Sequence, residues 1–195
     1  MTITHRNDWR VVDIVVAAVI AVAFGVVFLA WNAIYATSEP LFAALPPAQA
    51  ILYGVWLLPG VFVGLVVRRP GAALFGGFVS AAVSVLLGSP FGIDALISGA
   101  IQGAGAEVGF LIGLYRSWGL MFAILAGVLS GLAAAVHDLI IYYPDLGPNL
   151  QLVYAGATAL SGALVGGVGA WLLLRALVAT GVLHEFAAGR DQTEV

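Results

Sequence analysis

The chain contains no cysteine and no lysine among its 195 residues, and each absence excludes a class of function. Without cysteine there are no disulfides, thiolate metal sites or thiol redox reactions. Without lysine the phosphate-binding motif GxxxxGK[ST] cannot occur, so the chain is not itself a P-loop ATPase. Charge is scarce as well, at 9% of residues with a formal net charge of −3. No basic run with interleaved aromatic residues is present, so nucleic acid is not expected as a partner.

Hydrophobic residues make up 62% of the chain. A soluble domain of this size needs far more charged surface. Six runs approach the roughly 20 apolar residues that span a bilayer, and none shows the period-2 alternation of barrel strands. We therefore predict an all-α integral membrane protein, a single domain over residues 1–195 with short polar tails at about 1–10 and 184–195. The six predicted spans are about 12–32, 48–67, 72–88, 94–115, 118–142 and 151–174.

The basic residues predict the orientation of the bundle. If the N-terminus is cytoplasmic, all seven arginines fall on the cytoplasmic side, and the outer loops carry only acids. That distribution follows the positive-inside rule, so we expect both termini inside. The arginines are Arg6, Arg10, Arg68, Arg69, Arg116, Arg175 and Arg190, and the outer acids are Glu39, Asp94 and Asp145.

Polar and aromatic residues collect near the outer ends of the spans, which predicts a binding cavity open to the outside. The inner halves of the same spans are almost wholly aliphatic or small. An alternative for the aromatic residues is an ordinary interfacial belt, and His137 could be a core histidine bonded to a backbone carbonyl. The candidate binding residues at this level are Asn32, Tyr53, Trp56, Asp94, Gln102, His137, Asp138, Tyr142 and Tyr154.

Gln102 and Glu107 lie deeper in the fourth span and are harder to explain by packing. In a regular helix they sit ~12 Å and ~20 Å below Asp94. An ionisable group at that depth costs several kcal/mol and marks a functional site by default. We therefore expect Glu107 to be a functional residue. The alternative is a protonated carboxyl bonded to a neighbouring helix, and the ~140° between the two side chains is a difficulty for a shared ligand.

Rows of small residues predict close contacts between helices. Gly99/Gly103 and Gly105/Gly109/Gly113 would let two neighbours approach the fourth span, which we expect to be central. A further row in the first span, formed by Ala17, Ala21 and Gly25, is predicted to contact a partner helix, with packing inside the chain as the alternative.

Several short motifs run in order along nearly the whole chain. They are Tyr53-Gly-Val-Trp56, Arg69-Pro-Gly-Ala-Ala73, Leu87-Gly-Ser-Pro90 with Phe91-Gly92, Gln102-Gly-Ala-Gly-Ala-Glu107, His137-Asp138-Leu139 and Thr180-Gly-Val-Leu183. This pattern resembles the YkoE-type substrate-binding (S) components of energy-coupling factor vitamin importers. One departure is Val83-Ser84, where many relatives are expected to carry a carboxylate.

The resemblance implies a six-helix S component in the plasma membrane of a prokaryote. Such a component captures thiamine or its hydroxymethylpyrimidine precursor from outside, with no cofactor of its own. It also implies a transmembrane coupling (T) protein and cytoplasmic ATPases as partners, with Ala17, Ala21 and Gly25 as the docking surface for the T protein. Thiamine suits the residues, since its flat ring can stack on Trp or Tyr and its cation can pair with a carboxylate. Glu107 is then a substrate-binding residue, and Glu107 or Asp138 gains its counter-ion when the ligand binds.

Two other classes of function, and another vitamin, compete with this interpretation. An enzyme could use His137, Asp138 and Glu107, but neighbouring residues on a helix point ~100° apart, which argues against a His–Asp dyad. A channel or secondary carrier would need polar residues along its whole pathway, whereas here they stop at mid-depth. An S component for riboflavin or another vitamin remains open as well.

Overall fold

The structure, a computed structural model, describes residues 8–183 and 187–190, and this part of the chain is helical without a β-strand. Two 3-10 helices, Glu39–Phe42 and Pro46–Leu52, join the first two main helices. The sixth span is continuous over Pro148–Ala179 but changes to π-helical geometry at its centre, over Gly162–Gly169. The helices are α1 (Val11–Ser38), α2 (Gly54–Val67), α3 (Ala72–Leu86), α4 (Asp94–Ile112), α5 (Leu120–Ile141), α6 (Pro148–Ser161), α7 (Ala170–Ala179) and the short α8 (Ala187–Arg190).

The prediction of six helices is confirmed, with modest differences at their ends. Five of the six are long and apolar enough to cross a bilayer, and α3 is shorter at 15 residues. α1 continues to Ser38, and the sixth span begins at Pro148 and ends at Ala179, so both exceed the predicted ranges. The predicted polar tails fall largely on residues 1–7, 184–186 and 191–195, which lie outside the described residues.

The central helix is α2, and this corrects the expectation that the fourth span would be central. Every α2 residue from Pro59 to Val67 is buried. α4 instead exposes Ile97, Val108 and Leu111 on one side. A helix that is hydrophobic all round is enclosed by its neighbours, and α2 has that composition while α4 does not. The core around α2 includes Phe62 and Phe110, both almost fully buried.

The glycine rows of α4 do bring two helices close, as predicted. A Cβ added at Gly99 would lie 2.9 Å from the carbonyl oxygen of Gly77 on α3. On the other row, a Cβ at Gly109 would lie 2.4 Å from Cα of Ala126 on α5. Only glycine allows these backbone approaches, so the two rows place α4 between α3 and α5.

The small row on α1 also packs closely, but inside the chain rather than on a partner. Ala17 and Ala21 are 0% exposed and Gly25 is buried. A Cβ at Gly25 would lie 2.5 Å from Cβ of Val83 and 2.9 Å from the Ser80 carbonyl oxygen, both on α3. The prediction that these residues form the docking surface for a partner protein is therefore corrected. The pattern identified a close helix contact, and the helix that makes it is α3.

The two ends of the bundle differ in chemistry. At one end, called here the arginine end, Trp9 Nε1 donates to the Pro70 carbonyl oxygen at 2.9 Å and joins the start of α1 to the α2–α3 turn. The buried Asp13 carboxylate there contacts Arg10 at 2.7 Å and Arg69 at 3.8 Å. At the opposite end, called here the cavity end, α1 finishes and α2, α4 and α6 begin.

Candidate functional site

A cavity of about 770 Å³, including its mouth, opens at the cavity end. Eight of the ten predicted binding residues line it, so the structure brings together side chains that come from five helices and the segment before α2. The eight are Asn32, Tyr53, Trp56, Asp94, Gln102, Asp138, Tyr142 and Tyr154.

One wall of the cavity is aromatic and centres on Trp56. Its ring packs edge-on against Tyr35, Tyr53 and Phe91, with centroid distances of 4.9, 5.1 and 5.9 Å. Trp56 Nε1 also donates to Asn32 Oδ1 at 3.0 Å, so the indole is held at its edge as well as on its sides. Such a wall offers a rigid apolar surface for a flat ring.

Asp138 forms the polar centre of the cavity. The residue is only 3% exposed, and its Oδ2 accepts hydrogen bonds from the hydroxyls of Tyr53 and Tyr154. Oδ1 lies 2.8 Å from His137 Nδ1. The two oxygens of this buried acid therefore contact polar groups from α5, from α6 and from the residue before α2.

His137 does not line the cavity but connects its two acids. Its Nε2 lies 3.3 Å from Asp94 Oδ1, without the alignment of a hydrogen bond. The contact with Asp138 corrects the expectation that adjacent residues cannot pair. The side chains leave the helix in different directions, but Nδ1 is close to Cβ, so a rotated imidazole reaches the next carboxylate.

Asp94 lies nearer the mouth than Asp138 and is more open. Its side chain is 26% exposed, and its Oδ2 accepts a hydrogen bond from the Tyr142 hydroxyl. Burial, reinforced by this hydrogen bond, raises the pKa of Tyr142, so the hydroxyl remains a donor to the acid. Asp94 Oδ1 has only the poorly aligned His137 contact among the described residues, which leaves it able to accept from a ligand.

Gln102 reaches the floor of the cavity from α4. Its Nε2 donates to Ser98 Oγ at 2.7 Å, one turn earlier on the same helix. Its backbone carbonyl accepts from Ser130 Oγ at 2.8 Å, which ties this part of α4 to α5. The bond to Ser98 uses one N–H of Nε2, so the amide oxygen and the second N–H are left for a ligand.

Glu107 lies away from the cavity, and its predicted role is corrected. Its carboxylate accepts from three backbone amides at the start of α3, those of Gly71 at 2.6 Å, Ala73 at 2.9 Å and Leu74 at 3.3 Å. The Tyr115 hydroxyl donates to it at 2.8 Å. A helix N-terminus favours an anion, since its amides are unpaired and its dipole is positive there. The acid's partner is α3 of its own chain.

Several cavity residues were not among the predicted site residues. Tyr35 follows Asn32 by one turn at the end of α1, and that spacing could have identified it. Phe91 and Ser89 come from the turn before α4, and Tyr143 follows Tyr142 where no pattern separates it from an interfacial tyrosine. Ser84, at the position where a carboxylate was expected in relatives, also lines the cavity.

Comparison with known proteins agrees with this architecture. Residues 12–133 match the family model "ABC-type cobalt transport system, permease component". A Bacillus subtilis (strain 168) protein, named as a candidate HMP/thiamine permease protein, YkoE, is 33% identical over 95% of this chain and 92% of its own length. A solved structure titled as an S-component of an ECF transporter superposes with a TM-score of 0.91, at 32% identity, over 96% of this chain and 94% of that one.

This chain belongs to the YkoE-like S components of energy-coupling factor transporters. The S component is thus a multi-pass membrane transport protein and not an enzyme. The motifs Tyr53-Gly-Val-Trp56 and His137-Asp138-Leu139 contribute the aromatic wall and the acidic centre of one cavity.

Proposed function

We propose that this S component captures thiamine, or its hydroxymethylpyrimidine precursor, in the cavity at the end of α1, α4 and α5. The relative's name supplies the ligand class. The observation that carries the proposal is the pairing of the Trp56 wall with two carboxylates, Asp94 and Asp138, in one cavity. A flat heterocycle can stack on the wall while its cationic or amino groups meet the acids.

Of the two acids, Asp94 is the counter-ion for the thiazolium ring of thiamine. Asp138 Oδ2 already accepts from two tyrosine hydroxyls, and its Oδ1 contacts His137. Asp94 is more exposed to the cavity and has acceptor capacity left on Oδ1. The two ligands then differ in how they use it, since thiamine carries a fixed positive charge and hydroxymethylpyrimidine does not.

The assembly in which the ligand is delivered is also part of the proposal. The S component works with a transmembrane T protein and cytoplasmic ATPases in a prokaryotic plasma membrane, with the cavity facing outward and both termini inside. The arginine end would then meet the cytoplasm, as the positive-inside rule requires. Because Ala17, Ala21 and Gly25 are buried within the chain, we expect the partner to contact residues other than that row.

Calorimetry on the purified chain with thiamine, hydroxymethylpyrimidine and riboflavin tests the ligand. We expect the first two to bind with submicromolar affinity. The Asp94→Asn variant should lose about 10- to 1,000-fold in thiamine affinity, because a charge-assisted contact is removed, and much less in hydroxymethylpyrimidine affinity. Asp145→Asn, which changes an acid in the α5–α6 loop outside the cavity lining, is the matched control and should bind as wild type. Binding of riboflavin alone would overturn the ligand while leaving the family unchanged.

A further inference from the structure

Asn32 is a buried cavity residue whose amide has one atom committed and one uncommitted. Only 7% of the residue is exposed. Its Oδ1 accepts the Trp56 indole N–H at 3.0 Å, whereas its Nδ2 is buried without a hydrogen-bond partner among the described residues. A buried donor left without an acceptor is costly, so such atoms are uncommon in folded proteins.

The orientation of this amide is determined by chemistry. An indole nitrogen can only donate, so the atom of Asn32 that faces Trp56 must be the oxygen. The indole itself cannot turn away, because Tyr35, Tyr53 and Phe91 pack against its ring. Asn32 lines the cavity, so the two N–H groups of Nδ2 lie beside the aromatic wall.

Several donors around the cavity are already engaged within the chain. The hydroxyls of Tyr53 and Tyr154 donate to Asp138, and that of Tyr142 donates to Asp94. These hydroxyls can still accept, which suits the amino or cationic side of a ligand. One N–H of Gln102 Nε2 donates to Ser98. Asn32 differs in that its donor nitrogen is buried with no partner among the described residues, so both of its N–H groups need a ligand atom that can accept.

We propose that Asn32 is the specificity-determining residue that reads an unprotonated ring nitrogen of the bound heterocycle, with Trp56 holding its amide in the required orientation. This inference rests on the proposed function and specifies which atom of the ligand is recognised. An aminopyrimidine supplies such an acceptor beside its exocyclic amine, so one edge of the ring can meet Asn32 while another donates to an acid. A ring with a C–H at the recognised position leaves Nδ2 unpaired and binds more weakly.

The test compares hydroxymethylpyrimidine with its two deaza analogues, in each of which one ring nitrogen is replaced by C–H. Calorimetry on the wild-type chain should show one analogue binding about 10- to 100-fold more weakly than the parent, since a buried donor loses its acceptor. The Asn32→Leu variant should bind the parent more weakly and should lose most of that discrimination. Asn149→Leu, which changes an exposed asparagine at the start of α6, is the matched control and should retain the wild-type discrimination between the parent and its analogues.

The ratio of the affinities for parent and analogue separates direct recognition by Asn32 from a structural role. A general loosening of the cavity would weaken the binding of both compounds alike. Equal affinity of the wild-type chain for all three compounds would overturn this inference and leave the proposed function standing. A wild-type chain that discriminates, with Asn32→Leu discriminating equally well, would also overturn it. No binding of hydroxymethylpyrimidine or thiamine to the wild-type chain would overturn both proposals.

Discussion

At the scale of single residues, Glu107 shows how a buried acid can be structural without a basic partner. Three amides of the α3 N-terminus and the Tyr115 hydroxyl donate to its two oxygens. Burial, together with the hydrogen bond to Glu107, raises the pKa of Tyr115, so its hydroxyl stays a donor. The carboxylate joins α4 to the beginning of α3 and to the turn after α4, and it does so at the end of the bundle far from the cavity.

We predict that Glu107→Gln destabilises the protein and leaves ligand affinity within about twofold of wild type. The amide replaces one accepting oxygen with a donor that faces backbone N–H groups, and it removes the charge that the helix dipole favours. The expected loss is about 1–3 kcal/mol of unfolding free energy. Thermal melting of the ligand-free protein and calorimetry on the same sample measure the two effects. Tyr115→Phe removes a single hydrogen bond and should give a smaller loss. A large fall in affinity without a change in melting temperature would return Glu107 to the binding site.

Single residues were predicted well where side-chain type and depth decide their location. Asn32, Tyr53, Trp56 and Asp138 meet in one cavity because polar and aromatic groups at one end of apolar helices have few other places to go. Glu107 was misjudged because its partners are backbone amides, which every residue carries and no sequence pattern displays. Gln102 and Glu107 are ~140° apart on α4, and that angle already indicated two separate environments.

At the scale of helices, the break before α2 positions the aromatic wall. Ser161 of α6 is 1% exposed, and its Oγ accepts from the Gly54 amide at 2.8 Å while donating to the Ile51 carbonyl oxygen. A single hydroxyl thus bridges the two sides of the change from 3-10 to α-helical geometry. Tyr53 lies between the two bonded positions, and Trp56 follows in the first turn of α2.

We predict that Ser161→Ala weakens ligand binding about 3- to 30-fold although Ser161 does not line the cavity. Loss of the bridge leaves the Gly54 amide and the Ile51 carbonyl without this partner, so the position of Tyr53 and Trp56 becomes less defined. Calorimetry gives the affinity, and quenching of tryptophan fluorescence by the ligand reports the wall directly. Ser80→Ala removes a buried hydroxyl whose single hydrogen bond, among the described residues, is to the Gly76 carbonyl of its own helix, so it serves as the control. Equal losses in both variants would mean that Ser161 contributes to stability alone.

The helices themselves were predictable because length and apolar composition leave little choice in a bilayer. Rows of small residues indicated close contacts correctly on α4, at Gly99 and Gly109, but did not reveal which helix makes each contact. On α1 the same kind of row at Ala17, Ala21 and Gly25 is buried inside the chain, where Gly25 packs against α3. Partner identity depends on the three-dimensional arrangement of all six helices, which a local spacing does not contain.

At the scale of the whole molecule, polarity is divided between the two ends. The cavity end contains Asp94 and Asp138 with the tyrosines that bond to them. In the described part of the chain, Arg10, Arg68, Arg69, Arg116 and Arg175 lie toward the other end, at the start of α1, after α2, after α4 and in α7. The helices alternate in direction, so the ends of the bundle correspond to the two sides of the membrane.

The positive-inside rule then predicts that the cavity end faces outward, and the absence of cysteine makes this measurable. Asn149→Cys introduces a thiol on an exposed residue at the start of α6, near the cavity end. Thr180→Cys introduces one on an exposed residue directly after α7, at the arginine end. Because the natural chain has no cysteine, each variant carries a single reactive site and the wild-type protein is the unlabelled control.

A membrane-impermeant maleimide should label Asn149→Cys in intact cells and Thr180→Cys only after permeabilisation. Ligand affinity equal to wild type would show that both variants are folded. The reverse labelling pattern would place the cavity on the cytoplasmic side, where it could not capture a solute from outside. The proposed direction of transport would then be wrong.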